Sequence, residues 1–262
     1  MLWARVASAA VLAPLFLWLV YLEFPYFHGL TIAIAGVMAW EFMRMDGRCG
    51  TTQRIAVSAA AVGAVVAMSL GQPAVAFGLV VLATVAVVAA DQMAGRKGLH
   101  MGHFSVIYVA VPAMSLLYVM AVGGSSSVFW VLAVVWATDI GAYAFGRIIG
   151  GPKLAPAVSP NKTWSGAIGG LLSAVLSAAG LLFWGYGQPA AVGLAALAGG
   201  LSVVSQCGDL FESALKRHYH VKDSGGLIPG HGGVMDRFDG LWAAAPVAAA
   251  FCLILGGGVR TW

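Results

Sequence analysis

The chain has 262 residues, 60% of them hydrophobic and only 9% charged, with a mean hydropathy of +0.89. A soluble domain carries roughly a quarter charged residues, so a water-soluble globular protein is excluded and an integral membrane protein is indicated. The net charge of +4 is modest and calls for no nucleic-acid partner, because membrane topology accounts for it. Cys49, Cys207 and Cys252 share no CxxC or Cys/His spacing, which argues against a zinc site or a disulfide framework.

About nine apolar segments follow one another, at 6–22, 28–43, 55–71, 74–90, 104–122, 128–148, 166–185, 190–210 and 241–258. The first carries Arg5 and runs to Tyr21 without a small-residue cleavage site, so it reads as a retained span and not a signal peptide. With nine spans and the N-terminus inside, thirteen of the fourteen Lys and Arg residues fall on one side, Arg260 alone lying on the other. The positive-inside rule makes that side the cytoplasm. The expectation is an all-α, polytopic membrane protein with about nine helices in one bundle. The 35 glycines suit such packing, since small residues let helix backbones approach in lipid. Residues 1–125 read as scaffold and residues 126–262 as the region that carries chemistry, together forming a single structural unit. Glu41 and Asp91, near the ends of the second and fourth spans, read as side chains snorkelling to the cytoplasmic edge.

Asp139 lies inside the sixth span, where a carboxylate costs about 2.5–3.5 kcal/mol and so normally faces a cavity or a partner. Tyr143, at i+4, shares its face, which predicts a polar pocket open to the cytoplasm. Beyond it, Lys153 and Lys162 bracket two prolines, and Ser159-Pro160-Asn161-Lys162-Thr163 is expected to open the next helix with Ser or Asn as its cap. Free N–H groups there, with a lysine beside them, would suit a phosphate.

The stretch from Ser205 to Gly240 holds nine of the 24 charged residues. Asp209, Glu212, Ser213 and Lys216 stand at i, i+3, i+4 and i+7 and share a helix face. That helix is expected to end near Gly225-Gly226, and a second to start past Pro229-Gly230-His231-Gly232-Gly233, delivering Asp236 and Asp239 three apart. Carboxylates that suit a divalent metal, next to lysines and arginines that suit anionic oxygens, point to phosphoryl or nucleotidyl transfer on a lipid.

Here the chain resembles a known family. Ser213-Ala-Leu-Lys216-Arg217, then Lys222-Asp223, Pro229-Gly-His231-Gly-Gly233 and Asp236-Arg237-Phe-Asp239 are similar to the signature of the phosphatidate cytidylyltransferases, or CDP-diacylglycerol synthases. Gly208-Asp209 with Glu212, Asp139-x-x-Ala142-Tyr143 and Ser159-Pro160-Asn161-Lys162-Thr163 also resemble the family, so the similarity spans roughly 130–242. Ser165 departs from it, because the family often has an acidic or amide residue two positions after the Lys-Thr pair.

The resemblance implies that CTP and phosphatidic acid give CDP-diacylglycerol and pyrophosphate, with Mg2+ and a monovalent cation such as K+ as ions. It implies Asp209, Lys216 and Asp236 as catalytic residues, and Asp209, Asp236 and Asp239 as metal ligands. Substrate contacts fall to Asp139, Ser159, Asn161, Lys162, Ser213, Arg217, Lys222, Asp223, His231, Gly233 and Arg237, with Arg237 alternatively pairing with Asp236 or Asp239. Gly225, Gly226, Gly232 and Gly233 would let a loop close over CTP. The implied location is the inner cell membrane, with the N-terminus and site loops cytoplasmic; a homodimer is allowed but not demanded. Two rivals are weaker. A transporter is disfavoured by the lack of a visible repeat and by charges clustered in loops. A CDP-alcohol phosphotransferase would begin its motif with Asp-Gly-x-x-Ala-Arg, which the chain does not contain.

Overall fold

The structure is a computed structural model that describes residues 2–47, 49–95, 101–186, 192–227, 232–259 and 261. It bears out the expected all-α membrane protein. The α-helices among the described residues are α1 (Leu2–Tyr21), α2 (Tyr26–Met45), α3 (Thr51–Ser69), α4 (Pro73–Met93), α5 (Ser105–Ile148), α6 (Trp164–Tyr186), α7 (Val192–His218) and α8 (Met235–Leu255). Six helical runs among the described residues are long and apolar enough to cross a membrane. The fifth and sixth expected spans both lie within α5, as two helical segments separated by a kink at Gly124, whose φ of 64° and ψ of −174° is a glycine conformation.

Contacts divide the chain into two compact units, Met1–Tyr118 with His218–Phe238, and Val119–Arg217 with Asp239–Trp262. In the first, α2 packs on α3 and α3 on α4 around Phe27, Met38, Phe42, Val57, Ala61 and Val65. The ring of Phe42 lies 5.4 Å from that of Tyr108. Asp91 does not snorkel as expected. It is buried, with Oδ2 2.9 Å from His103 Nε2 and Oδ1 accepting from Gln53 Nε2 at 3.4 Å. A buried carboxylate needs such partners, and α3 and the 3-10 turn Met101–Phe104 supply them.

In the second unit, helix backbones meet through small residues. A Cβ on Gly141 of α5 would lie 2.9 Å from the carbonyl oxygen of Gly169 on α6, and one on Gly170 would lie 2.8 Å from that of Thr138. Such contacts replace side-chain interdigitation where lipid offers no hydrophobic drive for helices to associate. Polar ties reinforce them: Thr138 Oγ1 lies 2.9 Å from Ser202 Oγ of α7, and Gln206 Nε2 donates to the Ala167 carbonyl at 3.3 Å.

Between α5 and α6 the chain forms an antiparallel hairpin, β1 (Lys153–Ala155) and β2 (Ser159–Thr163), with Lys153 opposite Thr163 and Ala155 opposite Ser159. The expected cap is therefore corrected. Ser159 and Asn161 lie in a strand, and Thr163 caps α6, its Oγ1 accepting from Gly166 N at 3.1 Å. Pro160 explains this, because a proline biases the residue before it towards extended backbone. Ser165, the departure from the family pattern, donates its hydroxyl to the Gly150 carbonyl and fastens the base of the hairpin.

Candidate active site

In the second unit the acidic and basic groups of four elements converge. The geometry starts from Gly208 on α7, where a Cβ would lie 2.8 Å from the Asp239 carbonyl oxygen and 2.4 Å from Ala243 Cβ of α8. Only a missing side chain lets the two helices come this close, and Asp209 and Asp239 both belong to this crossing. The Asp239 carboxylate, which accepts from Gly240 N at 2.7 Å, feels the negative charges of Asp209 and Asp139 and the positive charge of Lys216. Asp139 is exposed on α5.

The helix face expected on α7 resolves into two i, i+4 pairs. Asp209 Oδ1 accepts from Ser213 Oγ at 3.4 Å, while Oδ2 is ion-paired with Lys162 Nζ of β2. Glu212, fully buried, is 3.0 Å from Lys216 Nζ. Lys162 and Asp209 keep 26% and 33% of their side-chain surface, so that pair is open to solvent and anions; Lys216 keeps 16%. Arg217 and Asn161 are exposed and Ser159 is half-buried.

No group of three or more His, Cys, Asp or Glu side chains closes into a metal cage among the described residues. Mg2+ does not need one. It is commonly held by one or two carboxylates, with waters and substrate phosphates completing the octahedron. Asp209 on α7 and Asp239 on α8, at the two sides of the Gly208 contact, supply carboxylates of that kind.

The first unit holds a different arrangement. Asp236, on the first turn of α8, uses Oδ2 to accept from Ser224 N at 3.0 Å, Ser224 Oγ at 3.0 Å and Gly233 N at 2.8 Å. Beside it stands Glu41 of α2. It is 4% exposed and not the edge residue expected, with Oε1 accepting from Val234 N at 3.1 Å and Oε2 from Met235 N at 2.9 Å and Ser224 Oγ at 3.3 Å. The carboxylate turns inward because the otherwise unpaired N–H groups at the start of α8 offer it better partners than its own helix can. Gly225 and Gly233 are required here, since a Cβ would lie 2.4 Å from Glu41 Oε1 at Gly225 and 2.6 Å from Oε2 at Gly233. Gly232, at φ +86°, has a second constraint, as its Cβ would lie 2.8 Å from Asp236 Oδ2. Lys222, Asp223 and Arg237 are exposed, and His231 lies outside the described residues. Within this unit a cavity of about 610 Å³ opens against Glu41, walled by Val37, Trp40, Arg44, Ser58, Gly226 and Leu227.

The profile of the cytidylyltransferase family matches residues 3–255, almost the whole chain. The chain belongs to the cytidylyltransferase family. Similar curated members include the phosphatidate cytidylyltransferase of Brucella suis biovar 1 (strain 1330), 40% identical over 250 residues that cover 94% of this chain and 92% of the relative. The enzyme of the same name from Pseudomonas aeruginosa PAO1 is 38% identical over 273 residues, covering 98% and 99%. That of Staphylococcus aureus (strain COL) is 42% identical over 144 residues, 55% of each chain. The likeness to the first two therefore extends through the N-terminal helices as well as the charged segments that resemble the family in sequence.

Proposed function

We propose that this membrane-spanning member of the cytidylyltransferase family transfers the cytidylyl group of CTP to phosphatidic acid, giving CDP-diacylglycerol and pyrophosphate. The names of its full-length relatives support the reaction, and one geometric observation supports the chemistry: α7 and α8 close to backbone contact at Gly208 and Asp239, next to Asp209 and its ion pair with Lys162.

A phosphate oxygen of phosphatidic acid forms a bond to the α-phosphorus of CTP, and the bond from that phosphorus to the α,β-bridging oxygen breaks. The electron pair leaves with pyrophosphate. The nucleophile is an anion at neutral pH, so no side chain has to remove a proton. The protein's task is to hold two polyanions together in line. Mg2+, held by Asp209 and Asp239, would supply charge neutralisation at the phosphates. Lys162, Lys216 and Arg217 add positive charge, and Asp139 lines the polar space or holds a monovalent cation. Ser159 and Asn161 present polar groups on the hairpin, and Ser213 orients Asp209. Lys222, Asp223, Arg237, His231 and Gly233 are assigned to the anionic substrates on the family signature. Asp236, expected from the sequence as a metal ligand, has one carboxylate oxygen that accepts three hydrogen bonds from Ser224 and Gly233; its proposed role is to order that segment. The distribution of Lys and Arg supports an orientation with the N-terminus and the charged loops in the cytoplasm, and the location proposed is the inner cell membrane.

The test is pyrophosphate release by the detergent-purified protein. Release that requires CTP, phosphatidic acid and Mg2+ together, with CDP-diacylglycerol recovered, is expected. A folded, monodisperse protein that releases none under those conditions would refute the assignment.

A further inference from the structure

Glu41 lies outside every charged segment that the family signature covers, yet its carboxylate joins Ser224 to Val234 and Met235. We propose that Glu41 is a positioning residue for CTP: from α2 it fixes the loop that carries Lys222 and Asp223 and the start of α8. The inference rests on the proposed cytidylyl transfer.

Three observations carry it. First, both carboxylate oxygens are used, and two of their donors are groups that cannot easily be satisfied otherwise: Val234 N and Met235 N, both buried. The two N–H groups belong to the beginning of α8, where no helical carbonyl is available, and the helix dipole favours a negative charge there. Second, Gly225 and Gly233 pass so close to the carboxylate that neither tolerates a Cβ without movement, which makes the loop's path complementary to Glu41 in particular. Third, the cavity between α2, α3 and Gly225–Leu227 leaves this part of the loop with little side-chain packing from α2. The hydrogen bonds of Glu41 reach Ser224 beside this part of the loop and add to the apolar burial of Val234 and Met235 at the start of α8. Ser224 links Glu41 to Asp236, so the two acids act on the loop as one network.

The Glu41→Gln variant tests this. An amide keeps the size but replaces one acceptor oxygen with a donor, leaving Val234 N or Met235 N facing an N–H group. The expected result is a rise of about ten-fold in KM for CTP, the size associated with one buried donor losing its acceptor. KM for phosphatidic acid should be unchanged, while the melting temperature in detergent falls by a few degrees, as one orphaned buried donor requires. A residue that merely supports the fold would lower the melting temperature and the active fraction and leave KM for CTP alone. Normal KM for CTP in Glu41→Gln, with the unsubstituted protein active, overturns the proposal. An unsubstituted protein with no cytidylyl transfer overturns the functional reading itself, which separates the two failures. Should Glu41→Gln not fold, Ser224→Ala, which removes the hydroxyl shared between the two acids, is expected to raise KM for CTP a few-fold; an unchanged KM there also overturns the proposal.

Discussion

Gly208 and the backbone carbonyl of Asp239 are in contact: a Cβ at position 208 would lie 2.8 Å from that oxygen. The neighbouring obstacle, Ala243 Cβ, is also short and stiff, so nothing at the contact can swing aside. Gly208→Ala must therefore push α7 and α8 apart and carry Asp209 away from Asp239. Activity is expected to fall on the order of a hundred-fold, since displacement by about 1 Å at a reacting centre can cost that much. Initial rates of pyrophosphate release, with a melting temperature measured alongside, check it; a rate within two-fold of normal would show that the two acids need not be adjacent.

The Lys162–Asp209 pair is about a quarter to a third exposed, and solvent-exposed ion pairs contribute little to stability, typically below about 1 kcal/mol. Lys162→Ala should therefore leave the melting temperature nearly unchanged while reducing kcat/KM for a polyanionic substrate by ten-fold or more. A large fall in melting temperature with normal kinetics would make the pair a structural strut.

Glu212 and Lys216 behave differently because Glu212 is fully buried. Removing one member of a buried pair leaves an unmatched charge and costs about 3–5 kcal/mol, whereas replacing both can be nearly neutral. Lys216→Met should lower the melting temperature markedly, and Glu212→Gln combined with Lys216→Met should recover much of the loss. Thermal unfolding of the three variants measures this, and equal melting temperatures for all would contradict it. Any kinetic defect that survives in the double variant then reports the contact of Lys216 with phosphate.

Chelation supplies a fourth prediction. EDTA should abolish turnover and added Mg2+ restore it, and in Asp239→Asn the Mg2+ concentration for half-maximal rate should rise on the order of ten-fold or more. A Mg2+ titration with unchanged midpoint would remove Asp239 from the proposed ligand set.

Much of this architecture is legible in the sequence because lipid simplifies the code: an uninterrupted apolar run of sufficient length has few alternatives to a helix. The i, i+3, i+4, i+7 spacing of Asp209, Glu212, Ser213 and Lys216 likewise places them on one stretch of α7, and the structure pairs them there. Glu41 is not legible in the same way. An acid near the end of an apolar span has the same local pattern whether it reaches for water or for the N–H groups of Val234 and Met235, which lie 193 and 194 positions away. The hairpin escapes for another reason. Strands of three and five residues are too short for periodicity to declare themselves, and Ser-Pro-Asn reads equally well as a helix start. The glycines near Glu41 did carry a signal, since Gly225 and Gly233 sit where a backbone must pass another group closely, but which group could not be inferred from the loop alone.

The pairing of β1 with β2 decides more than the shape of a connection. The register shifts between the Lys153–Thr163 and Ala155–Ser159 pairs, two residues of β1 spanning four of β2, and from this irregular hairpin Lys162 reaches Asp209. Lengthening or shortening the turn at 156–158 by one residue would disturb that register and with it the approach of Lys162 to α7. Such an indel would alter no charged residue, would leave every helix intact, and would still be expected to silence the enzyme, so the length of an uncharged turn belongs among its heritable determinants of activity.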